Sequence, residues 1–227
     1  MARARATNSA PDRLRVILTI HHLGVSQSDR VVWLMEELRL AYRLKWCSRG
    51  ADGLMPPEYL TLHLASTDPV IEDDGRVISE SAVILEYICH KHAGGKLTVG
   101  LGQPNYFDHL YWRHFNNNVQ GLFFAKLALG PDAKGPNADR IGGFVKRRED
   151  GYYRYLDRRL GESPYLAGPE FTCADIMVTF NLTSLPLFGG RKIEGSPNVS
   201  SYIERIAGRP AYAKAMAIAG PGAKPPA

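Results

Sequence analysis

The sequence predicts a chain of two unlike halves, a small α/β unit followed by an all-helical unit. Short β-branched runs alternate with helix-period segments over the first 93 residues. A glycine-rich stretch, His92 to Gln103, then interrupts the pattern. Beyond it every patterned segment has helical period and none alternates like a strand.

Arg15 to Ile20 (R-V-I-L-T-I) is a buried-strand run, rich in residues that suit a pleated surface. His21 to Val25 reads as the loop after it. Ser26 reads as a helix cap, and the helix runs to about Leu40, with Val31, Leu34, Met35 and Leu38 on one face. Tyr42 to Trp46 is a second strand, Ser48 to Pro57 a polar loop, and Pro57 to His63 a short helix. Pro69 opens the apolar run Val70-Ile71, and its X-Pro bond is a candidate cis peptide. Asp74-Gly75 supplies a hairpin turn, because glycine accepts the positive φ such a turn needs. Val77-Ile78 returns, and Ser79-Glu80-Ser81 opens a helix with Val83, Ile84, Tyr87 and Ile88 on one face. The order β-α-β-α-β-β-α lets the first two strands pair in parallel through a right-handed crossover, with the last two as a hairpin. That is a thioredoxin-like arrangement, here without a C-x-x-C and so without dithiol redox chemistry.

The α/β unit covers residues 15–93, a linker 94–102, and the helical unit 103–218. Asn105 to Leu129 is a long helix rich in aromatics, broken by Gly130 to Gly135. Asn137 to Leu160 is a second, carrying the basic run Lys146-Arg147-Arg148. Thr172 to Leu185 is a buried helix opened by Thr172-Cys173-Ala174-Asp175, a capping box in which Asp175 reaches back to a free N–H. Asn198 to Ala207 and Pro210 to Ala217 are shorter helices. Residues 1–14, with few apolar side chains, and 219–227, rich in proline and glycine, read as disordered tails.

Composition removes several function classes. Hydrophobic content of 44% and charged content of 22% suit a globular protein with a real core. The net charge of +5 is mild, and part of it sits on Arg3, Arg5, Arg13 and Arg15. With no dense basic run interleaved with aromatics, a nucleic-acid partner is not expected. Cys47, Cys89 and Cys173 are odd in number and far apart, which argues against a disulfide framework and against a metal site. No stretch approaches 18 apolar residues, so no membrane span is expected. The start of the chain lacks the apolar core of a secretory signal. A cytoplasmic location is the expectation, and the Arg-rich start leaves a mitochondrial address open.

Three motifs carry a resemblance over nearly the whole chain. They are Asp68-Pro69-Val70-Ile71 followed by Glu80-Ser81-Ala82-Val83-Ile84, the Thr172 to Asp175 box, and the strand-loop-helix H-H-L-G-V-S-Q-S-D-R from His21 to Arg30. Together, in this order and spacing, they resemble the cytosolic glutathione transferase family, and are most similar to its serine-type fungal, bacterial and theta-like members.

The resemblance implies a glutathione transferase. Such an enzyme binds glutathione as co-substrate and activates its thiol for attack on a small apolar or aromatic electrophile, by substitution, conjugate addition or ether cleavage. Glutathione-dependent peroxide reduction is a variant of the same chemistry. A free cysteine thiol has a pKa of about 8.5, so a hydroxyl at a helix N-terminus can help by favouring the thiolate. The resemblance implies Ser26 for that role, with Ser28 as runner-up; read without it, Ser26 simply caps its helix. Val70, beside Pro69, would pair its backbone with the cysteinyl unit as an added strand does. Glu80 and Ser81 would hold the γ-glutamyl ammonium and carboxylate, and His63, or more weakly Lys45 or Arg49, the glycyl carboxylate. The electrophile would lie against the long aromatic helix, where Tyr111, His114, Phe115, Asn117 and Asn118 are candidates. A homodimer is implied, with no metal.

The chain departs from the family at Leu64, Ser66 and Asp68, where many members read H-P-x-G-x-x-P. Asp68 beside an anionic tripeptide repels it unless the carboxylate is turned aside. That departure supports the alternative, a non-catalytic glutathione- or small-ligand-binding protein of the same fold.

Overall fold

The computed structural model describes residues 18–130 and 132–226, so the N-terminal tail and the first residues of the expected Arg15–Ile20 strand lie outside the described residues. The α/β half is built on a four-stranded sheet: β1 (Leu18–Leu23), β2 (Tyr42–Cys47), β3 (Val70–Asp73) and β4 (Arg76–Ser79), in the order β2-β1-β3-β4. The strand pair β1–β2 is parallel, joined through helix α1 (Asp29–Leu38), and β3 is antiparallel to both β1 and β4. Helix α2 (Pro57–Leu60) lies between β2 and β3 in the chain, and α3 (Ser81–Ala93) follows β4. The helical half holds α4 (Tyr106–Leu129), α5 (Pro136–Glu162), α6 (Cys173–Thr183), a 3₁₀ turn (Leu185–Phe188), α7 (Pro197–Ala207) and α8 (Pro210–Ala219). None of the described helices is long and apolar enough to cross a membrane.

Several boundaries differ from expectation for local reasons. His21, His22 and Leu23 belong to β1, because each has a partner on β2, from Leu18 against Tyr42 to Leu23 against Cys47. Ladder hydrogen bonds outweigh the loop-like look of the paired histidines. Helix α1 starts at Asp29 with Ser28, not Ser26, at its N-cap, and ends two residues early on Arg39, whose φ of 55° is left-handed. The helix expected to reach His63 stops at Leu60. Ala219 and Gly220 are buried, so α8 and its end pack where the sequence suggested the start of a loose tail.

The hairpin between β3 and β4 forms as expected. Asp74 and Gly75 take φ of 48° and 76°, the two positive values a type I′ turn requires. The Asp68–Pro69 bond is cis. In α3 the buried face is Ile84, Leu85, Ile88 and Cys89, while Val83 is 53% exposed. The stripe is turned from the expected one because α3 packs against both α1 and α6.

The two halves share one core. Trp33 of α1 lies 5.5 Å from Phe171 and 4.8 Å from Tyr212. Glu37 then receives a bidentate pair from Arg209 at 2.7 and 2.8 Å, and the Trp33 indole N–H at 2.9 Å. The capping box of α6 is present, and Asp175 does more than cap. Its buried carboxylate accepts from the Thr172 amide (2.8 Å), the Leu166 amide (3.0 Å) and the Tyr202 hydroxyl (3.1 Å). Asp175→Ala strands three buried donors. It is expected to lower unfolding free energy by about 3 kcal/mol in urea titration, and an unchanged midpoint would reject this role.

Candidate active site

The end of β1, the start of α1, the segment before β3 and the start of α3 converge beside a buried guanidinium. The loop from Gly24 to Ser28 is tied down on its outer side. The Gly24 amide donates to the Cys47 carbonyl at 2.9 Å. Arg49 donates to the carbonyls of Gly24 (2.9 Å), Val25 (3.0 Å) and Gly53 (3.1 Å). Arg49 thus fastens the serine loop, and this correction removes it as a candidate for the glycyl carboxylate. Lys45 points its charge at Glu72, 3.8 Å away, and is not brought to the site either.

Ser26 and Ser28 are both buried, with their hydroxyl oxygens 2.8 Å apart. The Ser28 amide donates to the Ser26 oxygen at 3.3 Å. Ser28 makes no side-chain cap, because its hydroxyl faces Nδ1 of His22 at 2.8 Å. His22 is itself buried, edge-on to Trp46, and burial lowers its pKa to about 4. It is neutral at pH 7.

The Asp68 carboxylate, the charge singled out in the sequence, is engaged by the protein's own backbone. It is turned onto the start of α1, where it accepts from the Gln27 amide at 3.0 Å. Burial raises its pKa; hydrogen bonding from the Ser26 hydroxyl and the charge of Arg49 pull the other way. Arg30 adds positive charge nearby. It is fully buried, donates to Gln27, to Ser81 (3.3 Å) and to Asn116, and lies over the Phe180 ring at 4.7 Å. Burial lowers its pKa to about 10, so it remains a cation at neutral pH.

Glu80 and Ser81 stand together at the head of α3. Glu80 sits at the N-cap with φ of 79°, and one carboxylate oxygen accepts from the amides of Ala82 (2.9 Å) and Val83 (3.1 Å). Capping therefore consumes two amides that the sequence reading had offered to a ligand. The Ser81 hydroxyl, Arg30 behind it and the second Glu80 oxygen remain. His63 is brought to the same edge: its Nδ1 accepts from the Ala65 amide (3.2 Å) and meets the Ser79 hydroxyl (3.1 Å), which leaves the ring proton on Nε2.

Val70 requires a correction. It is fully buried, in register with His21 on one side and Ser79 on the other. Its backbone is spent inside the sheet. The ladder begins at Val70, and Asp68, just before it, has no backbone–backbone partner among the described residues.

In the helical half the expected pocket residues scatter. His114, Asn117 and Asn118 are exposed, and Phe115 is core, 2% exposed. Tyr111 is half-buried in an aromatic cluster with Trp112 (5.3 Å) and Tyr155 (5.7 Å). The amide that matters is Asn116, one residue away, which alone of the three is buried and holds Arg30. A groove of about 660 Å³ between α1 and α8, lined by Arg39, Arg205 and Lys214 among others, lies away from the serine loop and shares none of its residues.

Comparison with known proteins agrees with this geometry. Residues 25–91 match the model of the glutathione S-transferase N-terminal domain, and residues 123–217 that of the C-terminal domain. Glutathione S-transferase 1 of Saccharomyces cerevisiae is 30% identical over 87% of this chain and 93% of its own length. Glutathione S-transferase 3 of Schizosaccharomyces pombe is 28% identical over 86% of this chain and 85% of its own. A solved glutathione S-transferase from Actinobacillus pleuropneumoniae superposes with a TM-score of 0.77 at 25% identity, over 89% of this chain and 93% of that one. The chain belongs to the glutathione S-transferase family, and the activity this defines is an enzymatic transfer that uses glutathione.

Two outcomes test the electrostatics. Asn116→Ala deprives a buried guanidinium nitrogen of its acceptor and is expected to cost about 2–3 kcal/mol of unfolding free energy in urea. Burial pushes the Asp29 carboxyl up to about 7, against the pull of Arg30. An unfolded aspartate releases its proton near pH 4. This group's contribution is therefore complete below about pH 4 and is lost as pH rises through about 7. Stability should fall by roughly 2–3 kcal/mol from pH 5 to pH 8, and Asp29→Asn should flatten that slope.

Proposed function

We propose that this chain activates the glutathione thiol with the Ser26 hydroxyl and passes the thiolate to a small apolar or aromatic electrophile. One observation carries the reading: the buried Ser26 hydroxyl stands just before α1, beside Asp68, whose backbone before β3 has no backbone partner among the described residues. An extended tripeptide pairing with the Asp68 backbone continues the sheet edge by one short strand. This replaces Val70 as the pairing residue.

The charged ends of glutathione have complementary groups. The γ-glutamyl carboxylate meets the Ser81 hydroxyl with Arg30 3.3 Å behind it, and the ammonium meets the free oxygen of Glu80. The glycyl carboxylate meets Nε2 of His63. A thiolate at the Ser26 hydroxyl is held by a hydrogen bond at the positive end of a helix, and each pH unit by which its pKa falls corresponds to about 1.4 kcal/mol. The electrophile lies toward α4, against Tyr111 and its aromatic neighbours.

The halves divide at residues 94–102, and the chain works as a homodimer. Exposed Val77 and Val83 on the α/β half and Phe107 and Phe124 on the helical half supply apolar surface for that contact. Its use is removal of reactive electrophiles in the cytoplasm, and no metal takes part.

Ser26→Ala should raise the pKa of bound thiol by about one pH unit and lower kcat roughly tenfold near neutral pH, with KM for glutathione unchanged. Ultraviolet titration of the thiolate reads the first, steady-state kinetics the second. Glu80→Gln keeps an oxygen for the helix cap but removes the charge. It should weaken retention on immobilised glutathione without moving the thiol pKa; retention like the parent's would refute the ammonium assignment.

A further inference from the structure

His22, Ser28 and Ser26 lie in one hydrogen-bonded chain, with 2.8 Å from the His22 Nδ1 to the Ser28 oxygen and 2.8 Å from there to the Ser26 oxygen, and the Asp68 carboxylate sits beside its end on the Gln27 amide. Each serine hydroxyl has a single proton, and the Leu23 carbonyl, 3.5 Å from the Ser28 oxygen, is a far weaker acceptor for it than Ser26 at 2.8 Å, so the direction of the chain is decided at its ends. In one direction Ser26 donates to Ser28 and Ser28 to His22. The histidine proton then sits on Nε2, which is buried and has no partner among the described residues. A buried N–H without an acceptor is rare and costly. That direction also leaves the Ser26 hydroxyl nothing to give Asp68.

In the other direction His22 Nδ1–H donates to Ser28, Ser28 O–H donates to Ser26, and the Ser26 proton is left for Asp68. Only a bare ring lone pair is unpartnered. The Ser28 amide, donating to the Ser26 oxygen at 3.3 Å, adds to the same bias by filling its acceptor side.

We infer that His22 and Ser28 are positioning residues, which hold the single proton of Ser26 on the side where the ligand sulfur is seated. The inference rests on the reading of Ser26 as the thiol's partner. It separates two serines that look equivalent in sequence. Ser28 is fully buried between His22 and Ser26, whereas Ser26, at the end of the chain, is the serine whose proton this direction leaves for a ligand.

The arrangement is stable over the working pH range. His22, with its pKa lowered to about 4 by burial, keeps one proton throughout. The charged groups near the chain are Asp68 before β3, Arg49 after β2, and Asp29 and Arg30 on α1, with the Tyr59 hydroxyl on α2. In the free protein the Ser26 proton lies toward Asp68; a bound thiolate takes its place as acceptor.

The test compares full-length Ser26→Ala, His22→Leu, Ser28→Ala and His22→Asn, by ultraviolet titration of bound glutathione and by kinetics with an activated aryl chloride. Loss of either positioning residue should raise the thiol pKa by about half to one pH unit and lower kcat about threefold to tenfold near neutral pH, with KM for glutathione unchanged. A variant combining His22→Leu with Ser28→Ala should be no worse than the poorer of the two singly, because both act through one proton. His22→Asn, whose amide places an N–H near the Nδ1 position, should restore most of the loss. Ser28→Ala removes one oxygen only, so it reports even if His22→Leu folds poorly. A shifted thiol pKa in Ser26→Ala together with parental values in Ser28→Ala and His22→Leu would overturn the inference and leave Ser26 in place. A parental value in Ser26→Ala would remove Ser26 from the reaction and the inference with it.

Discussion

The Arg30 guanidinium is the constraint on which the rest of the architecture depends. Burying a cation costs several kcal/mol unless its donors find acceptors and its charge finds opposite charge. Its acceptors come from three separate elements: Gln27 in the serine loop, Ser81 on α3 and Asn116 on α4. A ring on α6, Phe180, covers its face. The Nε of Arg30 already has no acceptor among the described residues, so none of these partners can move without leaving the guanidinium shorter still. The loop that carries Ser26, the helix end that carries Ser81 and the helical half are therefore held in one relation. Asp29, Asp68 and Glu80 supply the compensating field.

The same economy shapes the chemistry beside it. The serine loop is clamped from outside by Arg49, whose donors go to backbone carbonyls, and from inside by the chain of hydrogen bonds that begins at His22. Asp68 is tied to the Gln27 amide. A hydroxyl held this way needs little reorganisation when charge develops on a nearby sulfur, which is the condition for electrostatic stabilisation to act on a reaction. An acidic residue that reads in the sequence as a repulsive neighbour for an anion becomes part of the scaffold that orients that hydroxyl.

Features written in short stretches of sequence are present in the structure where expected. Asp74-Gly75 makes the turn because both residues accept positive φ, and Thr172 with Asp175 makes the capping box because four residues suffice to define it. The strand and helix order follows from hydrophobic period, and three short motifs in order, around His21 to Arg30, Asp68 to Ile84 and Thr172 to Asp175, carry the family resemblance. Misreadings fall where a residue's role depends on something distant. Val83 has the right spacing for a buried face, yet Leu85 is buried instead, because α6 arrives from elsewhere in the chain. Val70 looked free to pair with a ligand until β1 and β4 closed on it. The row Asn116-Asn117-Asn118 is conspicuous, but only contact with Arg30, 86 residues earlier, selects Asn116. Arg30 itself stands as a charge ahead of an apolar stripe and gives no sign of its burial.

By itself the sequence determined the two-part fold, the hairpin, the Thr172–Asp175 capping box and the family, since each rests on local backbone preference or on a motif a few residues long. Tertiary structure alone decided how the two serines share hydrogen bonds with His22, which asparagine is structural, and where the acid before Pro69 points. Those outcomes depend on how single protons and single charges are shared among groups far apart in the chain, and such sharing exists only once the halves are packed together.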